Sequence, residues 1–255
     1  MIPEEEKASP SSWAEGALSV LSVLEHDSRP VEEILLLPEA KKDERNIARL
    51  LKLAKARRVP LSLSTPDFFS SVTTGHTHGG VIARVGERRM DTVEGVFEKG
   101  NGFVFLLCGI EDPFNFGTAV RSLYAAGAGG MILSPRNWLS AAGVVIRSSA
   151  GLSEAVNCAV YDSAPSLVDA AHKAGYRIVC ASEKDSVDLF KSDLKLPLFL
   201  IVGGEKRGIS RDLSDRADLK IRIPYGRRFT GSLTTSAAAS VAAFEVFRQN
   251  RRETL

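Results

Sequence analysis

The chain is poor in the features that would fix a protein class by themselves. Its 255 residues include three cysteines, Cys108, Cys158 and Cys180. They lie far apart in apolar, strand-like runs and form no Cys-x-x-Cys. This argues against a disulfide framework or thiolate metal site and predicts reduced core thiols of a cytoplasmic protein. No apolar run reaches the roughly 18 residues that a transmembrane helix needs. The first residues, MIPEEEKASPSSW, are acidic where a signal peptide is basic, and no apolar segment follows them. No Gly-x-Gly-x-x-Gly occurs, and no glycine loop ends in Gly-Lys-Ser or Gly-Lys-Thr. The dinucleotide and P-loop fingerprints are therefore missing. His76 and His78 in GHTHGG have no acid or cysteine nearby to complete a metal site, so no metal is expected. The net charge of +2 is too small to argue a nucleic-acid partner.

What is present is ordinary globular composition, 44% apolar and 25% charged. At this length it fits one large domain or two unequal ones. Charge is concentrated in residues 41–58, KKDERNIARLLKLAKARR, with eight Lys or Arg against Asp43 and Glu44. The spacing predicts an amphipathic helix with Ile47, Leu50, Leu51 and Ala54 inward. Its outer face, with Arg49 and Lys52, is either simply solvated or also meets phosphates.

Residues 1–12 read as a disordered leader. Residues 13–86 alternate helix and strand patterns, enough for a small α/β domain. Residues 87–102, polar and glycine-containing, read as a linker. From 103 to 255 the alternation is clearer, with strands apolar throughout, such as FVFLLCG and LPLFLIVGG, between helical segments. That pattern predicts an α/β fold with a mostly parallel sheet covered on both faces. In such sheets ligands bind beyond the carboxyl ends of the strands, which directs attention to three turns.

The first turn is GIEDPFNFGTAVRS. Asn115 either caps a helix or faces the cleft, Gly117 is expected to let the backbone turn, and Arg121 suits a phosphate or polar oxygen. The second is LFLIVGGEKRGIS, where Gly203 and Gly204 bring bare backbone to the strand end. Glu205 follows, and Gly208 precedes a helix capped by Ser210. The third is IRIPYGRRFTGSLTTSAAASVA, where Pro224 ends a strand and GSLTTS offers N–H groups and hydroxyls at a helix start. Each turn alone is equally compatible with a capped helix or a plain turn.

In this order the three segments resemble the signature motifs of the SpoU (TrmH-like) branch of the SPOUT RNA methyltransferases. EDPFNFGTAVRSLYAAG resembles the first, LIVGGEKRGIS the second and IRIPYGRRFTGSLTTSAAASVA the third. The part that includes THGGVIARV is similar to the small substrate-binding domain that many members carry. The resemblance implies a C-terminal SPOUT domain with a deep trefoil knot, preceded by a small α/β RNA substrate-binding domain. It also implies a homodimer formed through the C-terminal domain. The implied activity is S-adenosylmethionine-dependent methylation of a ribose 2′-hydroxyl of rRNA or tRNA, in the cytoplasm.

The resemblance assigns Arg121, Asn115, Glu205 and Ser232 to catalysis. Gly203, Gly204, Gly208, Ile223, Pro224, Ser232, Leu233 and Thr234 fall to S-adenosylmethionine, and Arg227, Arg228, Arg49 and Lys52 to RNA. The alanines of the last helix, among them Ala239, Ala242 and Ala243, permit the close backbone approach that a threaded helix requires. One position departs from the pattern. The third motif usually reads Ser-Leu-Asn, and here it reads Ser232-Leu233-Thr234. A hydroxyl does not reproduce the paired donor and acceptor of an amide. A non-catalytic RNA-binding protein that keeps the fold is the alternative, and a nucleotide- or NAD-binding enzyme lacks its fingerprint.

Overall fold

The computed structural model describes residues 11–40, 44–74, 78–136, 138–204, 208–228 and 230–251. The first elements are β1 (Ser12–Glu15), α1 (Ala17–His26), β2 (Val31–Leu36), α2 (Glu44–Ala56), β3 (Leu61–Leu63), α3 (Pro66–Val72) and β4 (Val81–Val85). Next come α4 (Val93–Lys99), β5 (Phe103–Cys108), α5 (Pro113–Ala125), β6 (Gly130–Leu133), α6 (Ala142–Ser148), α7 (Leu152–Ala155) and β7 (Asn157–Val160). The chain continues with α8 (Ala164–Lys173), β8 (Arg177–Ala181), β9 (Val187–Asp188) and β10 (Leu198–Gly203). It ends with α9 (Arg211–Ser214), β11 (Leu219–Arg222) and α10 (Thr235–Asn250). β1 begins at Ser12, inside the segment read from sequence as a leader.

The chain divides into two units, residues 1–89 with 137–155, and 90–136 with 156–255. The sequence reading put 103–255 in one domain. The structure instead assigns the excursion after β6, with α6 and α7, to the first unit. There Ala142 and Ile146 join the same core as Val20, Leu24, Ile34 and Val81. A Cβ on Gly143 would lie 2.5 Å from the carbonyl oxygen of Trp13, so the approach of α6 to β1 requires glycine.

The first unit carries a four-stranded sheet of order β1-β4-β2-β3, antiparallel except for the β2/β3 pair. α2 forms where the basic segment predicts it, with Leu50 and Ala54 fully buried and Ile47 and Leu53 partly so. Leu51, expected inward, is 39% exposed. Leu51 shares the helical spacing of residues 47, 50 and 54, but the buried stripe is centred on Leu50 and Ala54 and extends to Leu53 on the other side, which leaves Leu51 at its edge.

The second unit is built on a seven-stranded sheet of order β7-β6-β5-β10-β8-β11-β9. Every strand pairing in it is parallel, as the uninterrupted apolar strands predict. The expected linker instead contains α4, capped by the Thr92 hydroxyl, which accepts from Gly95 N at 3.0 Å. Its Val96 and Phe97 enter the core beside Tyr176 and Phe199. A seven-residue helix with one buried apolar pair gives too little periodicity to stand out in sequence. Cys108, Cys158 and Cys180 are buried and none is in a disulfide. Burial pushes the Cys108 and Cys180 thiols up to about 12, so both stay protonated core residues.

Candidate functional site

β5 lies inside the large sheet, next to its middle strand β10. The chain steps outward from it to β6 and β7, whereas β10 and β8 lie on its other side. The crevice beyond the carboxyl ends of adjacent strands at such a reversal is where open parallel sheets bind ligands. All three turns singled out from sequence leave the sheet there or begin the helix that returns to it.

The first turn departs from its sequence reading. The backbone turns at Gly109, with φ +67°, and Gly117 lies buried within α5. Asp112 caps α5, its carboxylate accepting from Phe114 N at 3.0 Å and Asn115 N at 3.4 Å, and Pro113 occupies the first turn. Asp-Pro is an N-cap followed by a first-turn proline, so the helix starts earlier than the asparagine suggested. Asn115 lines a cavity of about 210 Å³ with Gly109, Ile110, Glu111, Asp112, Gly204 and Thr235. Arg121, two turns into α5, is exposed and makes no ion pair or hydrogen bond to another described residue.

At the second turn the backbones of two strand ends meet. A Cβ on Gly204 would sit 2.4 Å from the Gly109 carbonyl oxygen, and one on Gly203 2.7 Å from the Gly208 carbonyl carbon. Gly208 N donates back to Gly204 O at 2.9 Å, closing the turn. Glu205 lies outside the described residues. Ser210 caps α9 as expected, accepting from Leu213 N at 3.4 Å.

The third turn lines a cavity of about 850 Å³. Of the eight residues assigned to a cofactor, Gly203, Gly204, Gly208, Ile223, Pro224, Ser232 and Leu233 line it. Thr234 does not. Its hydroxyl caps α10, accepting from Ala237 N at 3.3 Å. Tyr225, not singled out from sequence, closes the loop on itself, its hydroxyl accepting from Leu233 N at 3.3 Å. Thr235 lines both cavities, as does Gly204. The Asp-Pro pair was a readable signal for the cap at Asp112, but no local pattern marks Tyr225 or Thr235.

α10 packs along α5 and reaches β10, with Ala239, Ala242 and Ala243 fully buried. Its opposite side leaves Phe244 and Phe247 exposed, their rings 6.3 Å apart edge to face. Arg227 and Arg228 are exposed beside the third turn, with no partner among the described residues. Arg49 and Lys52 lie on the open face of α2, Arg49 pairing with Glu25 at 2.8 Å. Arg147, in the last turn of α6, donates to the buried Glu15 at 2.8 Å. His76 lies outside the described residues, and His78 accepts from Gly80 N through Nδ1. Among the described residues no group of three His, Cys, Asp or Glu is arranged to hold a metal.

The 850 Å³ cavity falls within the about 300–1,000 Å³ of small-molecule sites. Its rim combines bare glycine backbone, hydroxyls and apolar side chains. Glu183 and Arg222 are the charged side chains among its described lining, so it does not offer the clustered cations that a polyphosphate would call for.

Comparison with known proteins agrees with this arrangement. The model for the SpoU rRNA Methylase family matches residues 102–244, and that for RNA 2'-O ribose methyltransferase substrate binding matches 13–90. The 23S rRNA (guanosine-2'-O-)-methyltransferase RlmB of Shewanella oneidensis is 27% identical over 240 residues, 92% of this chain and 96% of that protein. The RlmB of Ralstonia nicotianae is 26% identical over 239 residues, 92% of this chain and 94% of that protein. In fold, the AdoMet-bound rRNA methyltransferase of Sinorhizobium meliloti superposes with a TM-score of 0.79 at 24% identity, covering 95% of this chain and 88% of that one. The SpoU methyltransferase AviRb of Streptomyces viridochromogenes, in complex with AdoMet, gives 0.76 at 24% identity, covering 94% and 90%. With both its parts matched in order and the three turns gathered at one sheet edge, the chain belongs to the SpoU rRNA methylase family.

Proposed function

We propose that the protein is an RNA ribose 2′-O-methyltransferase that uses S-adenosylmethionine and acts in the cytoplasm on rRNA or tRNA. The observation that carries this reading is the convergence of the three motif turns on two adjoining cavities, one of them sized for the cofactor. When bound, the cofactor supplies an activated methyl group on a positively charged sulfur. The chain's own residues bind, orient and exclude water.

Backbone at Gly203, Gly204, Gly208, Ile223, Pro224 and Leu233 holds the cofactor, with Ser232 at the reacting end. Thr234 serves that site by starting α10. Asn115 faces the adjoining cavity, where the target ribose enters. Arg121 donates to a ribose or phosphate oxygen, holding the attacking hydroxyl at the roughly 3–3.5 Å that in-line transfer needs. Guanidinium donates and does not accept, so polarisation and phosphate binding are its part rather than removal of the proton. Glu205 orients donors around the ribose or the cofactor.

RNA backbone meets Arg227 and Arg228 and, on the small substrate-binding unit, Arg49 and Lys52. Such phosphate contacts position the RNA, while its shape and unpaired bases specify the nucleotide. The C-terminal unit is a knotted domain that dimerises through α10. Support for dimerisation comes from the exposed pair Phe244 and Phe247, a costly surface for a helix otherwise built of small residues. Support for threading comes from the buried alanines with which α10 returns to α5.

The test is transfer of labelled methyl from S-adenosylmethionine to unmodified bulk rRNA and tRNA by wild type and Arg121→Ala. Label in RNA with wild type alone is the expected result. Cofactor binding without label in any RNA favours the non-catalytic RNA-binding reading instead.

A further inference from the structure

Thr235 is the first residue of α10, yet it is 6% exposed and borders both cavities. Its hydroxyl donates to the carbonyl oxygen of Gly203, the last residue of β10, at 3.2 Å. That carbonyl stands where two constraints meet. Gly203 has no room for a side chain, because the Gly208 and Ile209 backbone lies within 3 Å of where a Cβ would be. Gly204, next in the chain, is held against Gly109 on the other side. The strand end is thus fixed by backbone packing on two sides, and the Thr235 hydroxyl ties it to the helix carrying the third motif.

We propose that Thr235 is a positioning residue, whose hydroxyl holds the Gly203 end of β10 and the Ser232–Leu233 turn at one spacing and so shapes the cofactor cavity. The proposal rests on the reading of that cavity as the S-adenosylmethionine site. Thr234 sets where α10 begins, and Thr235 sets where that beginning stands relative to β10. Loss of the hydroxyl leaves a part-buried carbonyl without this donor and frees the two walls to shift apart. The first consequence is weaker cofactor binding, since preorganised walls spare a ligand the cost of ordering them.

The test uses the full chain and calorimetric titration with S-adenosylmethionine for wild type, Thr235→Val and Thr235→Ser, with Tm measured alongside. Valine keeps the shape and removes the hydroxyl, and serine does the reverse. Thr235→Val is expected to raise Kd about tenfold, and Thr235→Ser to stay within about twofold of wild type. A role in folding alone would lower Tm and leave Kd unchanged in the folded protein. An unchanged Kd in Thr235→Val therefore overturns the proposal whatever Tm does, as does an equal loss in both variants. If Thr235→Val does not fold, Thr235→Ala against Thr235→Ser is read in the same way. A wild type that binds no S-adenosylmethionine overturns the functional reading and this proposal with it, whereas a binding wild type matched by Thr235→Val overturns this proposal alone.

Discussion

The two units differ in how many of their arginines they commit to other groups of the chain. In the first, Arg29 and Arg88 are buried and both pair with Glu154, at 3.0 and 2.9 Å. The Ser28 hydroxyl donates to the same carboxylate at 2.6 Å. Arg57 and Arg89 share Asp27, and Arg84 bridges Glu32 and Glu33. In the second unit Arg216 and Arg248 pair with Asp212 and Glu245, and Arg222, which lines the large cavity, donates to Ser186 O. Arg121, Arg227 and Arg228 instead stand exposed without a partner among the described residues. Charge committed to charge holds a fold together and is unavailable to a ligand. Charge left open contributes little to stability and keeps its donors for an anion. By this criterion the second unit keeps Arg121, Arg227 and Arg228 open for a ligand, while the first commits most of its arginines internally.

The largest effect should come from breaking the committed side of the comparison. Burial opposes ionisation of Glu154, but the charges of Arg88 and Arg29 and the Ser28 hydrogen bond outweigh it. The carboxyl is held below its ordinary value of 4.5. Removing that carboxylate leaves two buried guanidinium groups without the counter-charge they share. Glu154→Ala should therefore cost the first unit about 3–5 kcal/mol in urea denaturation. The pH dependence follows from the same lowered value. The stabilisation is complete above pH 4.5 and is lost as pH falls through the depressed value of the folded state. Wild type should lose stability in that acid window, and Glu154→Gln, already weakened, should lose less there.

The open side should respond in the opposite sense. Arg121→Ala should lower methyl transfer by about 10²–10³-fold while leaving the urea midpoint and the affinity for S-adenosylmethionine unchanged. A matching loss of stability would show that Arg121 belongs with the committed arginines, and the contrast between the units would fail at its most important residue.

Between these extremes lies the seam of bare backbone. Gly204→Ala places a methyl 2.4 Å from one carbonyl oxygen and 3.0 Å from another, with no flexible side chain able to give way. It should cost about 1–3 kcal/mol and weaken cofactor binding as well, because Gly204 borders both cavities. A stability loss without a change in affinity would separate the seam from the site.

How far the sequence foretold this molecule depended on the range of the interactions involved. The parallel sheet was legible because strands such as Phe103–Cys108 are apolar at every position, which only burial on both faces explains. Most of the rim of the large cavity was named through the resemblance of the second and third turns to family motifs, with glycines and a proline at strand ends marking the backbone turns. The excursion of residues 137–155 into the first unit was not, since Ala142 and Ile146 look like any apolar helix face until their partners on α1 and β4 are known. Nor was the cluster around Glu154, since Arg88 lies 66 residues away along the chain (154 − 88) and Arg29 and Ser28 lie 125 and 126 away. Thr235 was read only as one member of a hydroxyl-rich helix start, because the partner that gives it meaning is Gly203 O, 32 residues earlier. Local chemistry is written in neighbouring letters, and pairings across such distances are not.

The smallest effect concerns Thr234, the position at which this chain departs from its family's Ser-Leu-Asn. Its hydroxyl accepts from Ala237 N and lies 3.2 Å from the Ser236 hydroxyl, and its side chain does not line the large cavity. Capping is a task that threonine and asparagine share, with asparagine slightly the better. Thr234→Ala should cost about 1 kcal/mol through loss of the cap, read as a lower urea midpoint. Thr234→Asn should leave stability within a few tenths of a kcal/mol and methyl transfer within about twofold. A gain of tenfold or more in transfer by Thr234→Asn would mean that the amide does something in the reaction that a hydroxyl cannot. Position 234 would then belong with Arg121 among the groups held open for the substrate rather than with those that build the fold.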